Sequence, residues 1–241
     1  MERSVSKFFS GIMSRPIAPP QGKKKSVLYV ALCLAILILA GYVTYSVIDN
    51  RRPHYARDFH FEDLKSPNDA DGDGIDDYSD MVAGALEYIA TNPIYESRYY
   101  KGGYPNDGYG VCTDVIWRAF AAAGYCLKDM VDADIAENPE EYEKQGTIGD
   151  SNIDFRRVRN LQVFFERHAE VLTAASYHPK DWMPGDIVVF DGHIAICSEK
   201  RNAAGIPYII HHGNIVQGAV EADDMKKFDV KGHYRFTGGT K

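Results

Sequence analysis

The segment from Ser26 to Ile48 most constrains this chain, because its 23 residues carry no formal charge and are mostly apolar. As an α-helix it would be about 34 Å long, which is enough to cross the hydrocarbon core of a bilayer. Six basic residues and a single acidic residue precede it, and this bias predicts a cytoplasmic N-terminus. We therefore predict a basic cytoplasmic tail over residues 1–25, a transmembrane anchor over residues 26–48 and an extracytoplasmic remainder.

Two other interpretations of the apolar segment are less favourable. A secretory signal has an apolar region of roughly 7–15 residues followed by a small-x-small cleavage site. This run is longer, and no convincing site of that kind follows it. A core helix of a soluble domain is disfavoured because no polar face interrupts the run. An uncleaved, single-pass anchor is the favoured interpretation.

The composition of the whole chain is that of an ordinary globular protein, with 241 residues of which 45% are hydrophobic and 25% charged. One folded domain with attachments is expected. Beyond residue 48 the chain has 21 basic and 33 acidic residues, a net charge of −12. Such an acidic surface repels nucleic acid and anionic lipid headgroups, so the apolar segment is the expected contact with the membrane.

Hydrophobic periodicity divides the exported part into a helical half and a strand half. Residues 49–68 are rich in charged and turn-forming side chains and are predicted to form a stalk. Apolar residues at helical spacing predict helices over 81–92, 111–125 and 156–172, with a short polar helix at 138–145. β-Branched and aromatic runs predict successive antiparallel strands within 186–199, 207–213 and 230–236. Helices followed by strands indicate an α+β domain, which we predict to span residues 81–241.

Three cysteines lie outside the apolar segment, and an odd number cannot be fully paired within one chain. A disulfide between Cys126 and Cys197 remains open. Cys112 falls at a predicted helix start, where the helix dipole and free backbone N–H groups are expected to lower the pKa of a thiol. Cys126 lies at the far end of the same helix and Cys197 lies in a hydrophobic strand, so both are interpreted as packing residues. Cys112 is thus the predicted nucleophile.

A nucleophilic thiol needs an imidazole to accept its proton and a polar group to orient that imidazole. His193, in a predicted strand after Gly192, is the best candidate for the base. His211 and His212 are adjacent in the next predicted strand, so their side chains must point to opposite faces of the sheet. Either one of them could orient His193.

Several segments together carry a resemblance to a known family: YPNDGYGVCTDVIWRAF, SNIDFRRVRNLQVFFERH, WMPGDIVVF, GHIAI, YIIHHG and GHYRF. From about Tyr104 to Phe236 the chain resembles the bacterial domain-of-unknown-function family 1287, a relative of NlpC-type and papain-like cell-wall peptidases. The resemblance implies a papain-like (NlpC-type) fold, in which the nucleophile helix packs on an antiparallel sheet. It also implies that Cys112 is the nucleophile, His193 the general base and His211 the third polar residue.

Other polar residues are candidates for substrate binding. Asp114 could shape the substrate entrance or form a surface ion pair with Arg118, four residues further along the helix. Arg157 belongs to a cluster that could bind a substrate carboxylate or form a solvated helix start. Tyr104, in the tyrosine- and glycine-rich segment before Cys112, is predicted to contact substrate. The other members of the arginine cluster are Asp154, Arg156 and Arg159.

Residues 69–80 match the spacing of an EF-hand calcium loop, with Gly74 at the glycine position. Asp80 replaces the usual final glutamate and no clear helix precedes the loop, so the pattern is closer to dockerin-type loops. A solvated acidic linker is the alternative, and a structural Ca²⁺ is favoured over it. No organic cofactor is expected. The predicted ligands are Asp69, Asp71, Asp73, Ile75 through its carbonyl, Asp77 and Asp80.

These features predict a membrane-anchored, extracytoplasmic cysteine hydrolase of the peptidase or amidase class, acting on peptide or amide bonds of the bacterial cell wall. Peptidoglycan stem peptides are the expected substrates. A catalytically inactive envelope-binding module and an acyltransferase with the same triad are the alternatives. Metal catalysis is disfavoured, because the histidines and cysteines lack zinc-type spacing such as CxxC or HExxH. No protein partner is indicated.

Overall fold

The computed structural model describes residues 22–62, 64–146, 148–174 and 178–238, and the chain divides near residue 50 into two compact units. In the first unit, helix α1 (Gly22–Arg51) contains the apolar segment. Residues 26–48 have a mean hydropathy of 2.5, so by length and composition α1 could cross a membrane. Most of the predicted basic tail, residues 1–21, lies outside the described residues.

The second unit is a mixed α+β domain, and its class and antiparallel sheet are confirmed. Its helices are α2 (Asp77–Ala90), α3 (Cys112–Ala122), α4 (Leu127–Glu137), α5 (Pro139–Glu143) and α6 (Val158–His168). Strands β1 (Ile94–Tyr95) and β2 (Tyr109–Gly110) form a short parallel pair. The strands of the main sheet are β3 (Glu170–Val171), β4 (Ile187–Phe190), β5 (His193–Arg201), β6 (Pro207–His212), β7 (Ala219–Ala222) and β8 (Val230–Arg235). They pair antiparallel in the order β3-β8-β4-β5-β6-β7.

The central strands are buried on both faces. On the side of the helices, the sheet contributes Ile187, Val189, Ile194, Ile196 and Ile210 to the main core. On the other side, Val188, Phe190, Ala195, Cys197 and Ile209 form a second cluster with Trp182, Ile206 and Met225. Because successive side chains point to opposite faces of a strand, burial of both faces explains why β4 is an unbroken apolar run.

Two helix boundaries differ from their predicted positions. Helix α2 begins at Asp77 rather than at residue 81, because the Asp76 carboxylate accepts hydrogen bonds from the Ser79 backbone N–H and hydroxyl, at 3.4 and 2.6 Å. Helix α6 begins only at Val158, because the preceding residues Asp154–Arg156 form a 3₁₀ turn. Helix α4 is not among the predicted helices, although its buried apolar residues Leu127, Val131 and Ile135 recur at the helical spacing of four.

The predicted strand region 186–199 is a hairpin of β4 and β5. The turn lies at Asp191 and Gly192, where Gly192 has a φ of +67° and a Cβ added to it would meet no other group within 4 Å. The glycine therefore serves the tight turn. This turn places His193 at the first position of β5.

Asp114 connects the start of α3 to a distant part of the chain. Its fully buried carboxylate is held by the Arg156 guanidinium through two hydrogen bonds, each 2.8 Å long. It also accepts hydrogen bonds from Trp117 Nε1 and the Val111 backbone N–H, both at 2.7 Å. The predicted surface pair with Arg118 is therefore wrong, and Arg118 lies over the Trp117 ring instead. Asp114 has no exposed surface, and its effect on a substrate entrance stays a prediction.

Replacing Arg156 with glutamine is expected to lower the free energy of unfolding by about 3–5 kcal/mol, because the Asp114 carboxylate stays buried without its cation. Urea unfolding followed by circular dichroism measures the loss. The control is Lys144→Gln, which removes the cation of an exposed pair with Glu141 and should change stability by less than about 1 kcal/mol. Equal losses in the two variants would contradict the structural role of the Arg156–Asp114 pair.

Candidate active site

The Cys112 thiol lies at the first residue of α3 and is nearly enclosed, with 5% of the residue exposed. Burial raises the pKa of the thiol to about 11, and the charge of Asp114 raises it further, against the backbone N–H groups of Ile194 and Thr113, which lower it. The expectation of a thiol with a lowered pKa is therefore wrong for this structure, because desolvation outweighs the helix start. The thiol is neutral at pH 7.

His193 and His211 contact each other directly. His193 Nε2 and His211 Nδ1 are 2.8 Å apart, and the two rings meet edge to face with centroids 5.1 Å apart. Burial lowers the pKa of His193 to about 4, and the neighbouring His211 and His212 lower it further. His193 is thus a neutral imidazole at pH 7, able to accept a proton.

A carboxylate lies near the ring nitrogen of His211 that does not contact His193. His211 Nε2 is 3.5 Å from Asp224 Oδ2, and the buried Asp224 also contacts Gln217 and Lys227. Burial lowers the pKa of His211, although the charge of Asp224 acts to raise it. Asp224 has no sequence signal, because it lies in a loop just before the 3₁₀ turn Met225–Lys227. Only the fold brings it to His211.

His212 lies on the opposite face of β6. Its Nδ1 is 3.0 Å from the hydroxyl of Tyr88 on α2, and the Tyr95 ring packs edge-on against it with centroids 5.1 Å apart. The alternation of side chains along the strand therefore separates the two histidines, as predicted. Of the two, His211 is the one that contacts His193.

The Cys112 thiol belongs to the core on the helix side of the sheet, and the described residues show no hydrogen bond between it and His193. The backbone N–H of Ile194, which directly follows His193, stabilises the thiolate form of Cys112. The contact with His211 engages Nε2 of His193 and leaves Nδ1 outside that contact.

Tyr104 and Arg157 contact other parts of the domain. The Tyr104 ring packs against Trp117 and Phe155, and its hydroxyl is 3.6 Å from Cys126 Sγ. Cys126 follows the C-terminal end of α3, whereas Cys112 lies at the N-terminal end of that helix. Arg157 Nη1 is 2.7 Å from the buried carboxylate of Asp154. Neither residue joins Cys112 and His193 through these contacts, so their substrate roles remain predictions.

The remaining cysteines are unpaired. Cys126 is exposed, whereas Cys197 is buried in the sheet, and both are free thiols. The disulfide that the sequence left open is therefore absent between them. The surroundings of Cys197 agree with its interpretation as a packing residue.

The predicted calcium ligands are partly brought together. Oxygen atoms of Asp69, Asp71 and Asp73 lie within 4.8 Å of one another, and Asp80 is buried nearby on α2. Asp77 does not join them, because its carboxylate accepts hydrogen bonds from the Ala70 N–H at 2.9 Å and the Tyr125 hydroxyl at 2.6 Å. Ile75 donates its N–H to Asp73 at 2.8 Å and exposes its side chain.

Acid is expected to destabilise the domain through His193. Above pH 6.5, the ordinary pKa of histidine, the imidazole is neutral in both the folded and the unfolded protein. Between pH 6.5 and about 4, His193 is protonated in the unfolded chain but stays neutral in the folded protein. Stability therefore falls as the pH falls, by up to about 3 kcal/mol from this residue. Urea unfolding at a series of pH values should show a steeper decline for the wild type than for His193→Gln. Parallel declines would contradict a buried neutral His193.

Comparison with known proteins identifies the family of this chain. The family model described as Domain of unknown function (DUF1287) matches residues 82–236, which include Cys112, His193 and His211. The Escherichia coli (strain K12) protein "Uncharacterized protein YijF" is 36% identical over 167 residues, covering 65% of this chain and 80% of that relative. No solved structure gives a significant match. The chain therefore belongs to the DUF1287 family, in agreement with the resemblance of its motifs.

Proposed function

We propose that the protein is a membrane-anchored cysteine hydrolase that cleaves peptide or amide bonds of the bacterial cell envelope. The observation that carries the proposal is the 2.8 Å contact between His193 Nε2 and His211 Nδ1. The next residue along the strand, Ile194, has the backbone N–H that stabilises the thiolate form of Cys112. A cysteine at a helix start, an imidazole and a polar orienting group form the set that nucleophilic acyl transfer requires. A papain-like fold of NlpC type is the architecture proposed for this set.

In the proposed reaction, His193 Nδ1 takes the proton of the Cys112 thiol as the sulfur attacks the substrate carbonyl. The protonated His193 then gives that proton to the leaving amine, and an acyl group stays on the sulfur. Water, deprotonated by the same imidazole, releases the acyl group as a carboxylic acid and regenerates the thiol. His211 holds the Nε2–H of His193 throughout, and its own Nε2 faces Asp224, 3.5 Å away.

The protonation states of Cys112 and His193 support a reaction in which the thiol loses its proton as the sulfur attacks the substrate. The raised pKa of Cys112 and the lowered pKa of His193 make a neutral thiol and a neutral imidazole the resting state. Thiolate therefore forms mainly when substrate is bound, as the proton moves to His193. Slow alkylation of Cys112 at neutral pH is consequently compatible with an active enzyme, and turnover is the decisive measurement.

The proposed substrate follows from the proposed location. Helix α1 could span a membrane by its length and composition, and the basic residues before it favour placement of the second unit outside the cytoplasm. The peptide and amide bonds available there include those of peptidoglycan stem peptides. The net charge of −12 beyond residue 48 disfavours nucleic acid as an alternative substrate.

Turnover of purified peptidoglycan fragments by the full chain in detergent micelles tests this proposal. Mass spectrometry should detect a cleaved product with the wild type, whereas Cys112→Ala should be slower by at least about 10³-fold, because it lacks the nucleophile. Cys126→Ala is the matched control, since Cys126 is a free, exposed cysteine, and should keep the wild-type rate. No product from the wild type, or equal rates for wild type and Cys112→Ala, would overturn the proposal.

The two adjacent histidines are expected to differ in their effect on turnover. His211→Gln should lower kcat at least about tenfold with little change in KM, because His193 loses the contact that orients its ring. His212→Gln loses the contact with Tyr88 and should affect stability more than kcat. Steady-state kinetics and thermal unfolding of both variants make the comparison. A larger fall in kcat for His212→Gln would assign the orienting role to His212 instead.

A further inference from the structure

The loop at residues 69–80 concentrates negative charge in a small space. The exposed carboxylates of Asp69, Asp71 and Asp73 have oxygen atoms within 4.8 Å of one another. The Asp69 carboxylate also accepts hydrogen bonds from the backbone N–H groups of Gly72, Asp73 and Gly74, between 2.8 and 3.1 Å. The loop thus turns around the Asp69 carboxylate, and Gly74 allows this turn because it adopts a φ of +95°.

Asp80 supplies an independent observation that points to a ligand. The residue is 8% exposed, and its Oδ2 is buried without a hydrogen-bond partner. Asp80 interacts electrostatically with Asp73, Asp71 and Asp69, so it lies close to the three exposed carboxylates. A buried carboxylate oxygen without a partner beside three further carboxylates is unfavourable unless a cation neutralises it.

We propose that this loop binds one calcium ion through the side chains of Asp69, Asp71, Asp73 and Asp80 and the backbone carbonyl of Ile75. The donors are all hard oxygen atoms, which suit Ca²⁺ and not the nitrogen- and sulfur-preferring Zn²⁺. A site with four carboxylates also favours Ca²⁺ over Mg²⁺, which requires near-ideal octahedral geometry and keeps several waters. Solvent completes the coordination shell in place of Asp77.

The site joins the start of α2 to the turn between α3 and α4. Asp77, the first residue of α2, bonds the Tyr125 hydroxyl in that turn, and a Cβ on Gly124 would lie 2.9 Å from Asp71 Cβ. A calcium ion in the loop therefore fixes α2 against the end of the helix that begins with Cys112. This binding does not depend on the proposed hydrolase activity, and each can fail without the other.

Calcium binding is measured on the full chain in detergent micelles after treatment with a chelator. Isothermal calorimetry should show one Ca²⁺ per chain. At Ca²⁺ about one hundredfold above Kd, the midpoint of thermal unfolding should rise by about 5–10 °C relative to the chelator-treated protein. An equal concentration of Mg²⁺ should give a smaller rise. Absence of both binding heat and a thermal shift with Ca²⁺ would overturn the proposal.

Three variants separate metal binding from effects on folding. Asp73→Asn changes an exposed side chain and should weaken Ca²⁺ binding at least tenfold. Asp80→Asn should raise the unfolding midpoint of the metal-free protein, because it removes an uncompensated buried charge, and should abolish the further rise with Ca²⁺. Glu137→Gln removes an exposed carboxylate from α4 and should bind Ca²⁺ like the wild type. Wild-type affinity in both Asp73→Asn and Asp80→Asn would overturn the proposal.

Discussion

The buried ion pair between Asp114 and Arg156 is the interaction on which the geometry of the candidate site depends. The Asp114 carboxylate is two residues after Cys112, and it also accepts the N–H of Val111 just before it. One side chain therefore fixes the backbone on both sides of the thiol, and Arg156 ties that carboxylate to the turn that precedes α6. The same negative charge raises the pKa of Cys112. The pair thus both positions the thiol and helps to keep it protonated.

The main sheet separates His193, His211 and His212 into two sets. On the helix side, His212 contacts Tyr88 and ties the end of β6 to α2. On the other side, His211 contacts His193 and is followed by Asp224. Because adjacent residues of a strand face opposite sides of a sheet, one histidine braces the fold and the other is left to orient the proposed base.

Helices α2 and α3 connect the candidate site to the acidic loop. They pack closely because Gly84 has no side chain: a Cβ there would lie 2.4 Å from Ala122 Cβ and 2.9 Å from the Arg118 carbonyl oxygen. Helix α2 starts at the loop, where Asp76 caps it, and contacts His212 through Tyr88 near its other end. A cation that orders the loop would therefore act on the helix pair that carries the thiol, through packing alone.

Local sequence patterns determined the apolar helix, the α+β class, the antiparallel strands and the position of Cys112 at a helix start, because periodicity and turn residues act over a few neighbouring positions. Only the tertiary structure decided that His211 is the histidine beside His193, that Asp224 lies behind it and that Arg156 neutralises Asp114. Burial, which raises the pKa of Cys112 above its ordinary value, was likewise decided there. These outcomes depend on contacts between segments far apart in the chain and on the exclusion of water, neither of which local spacing specifies.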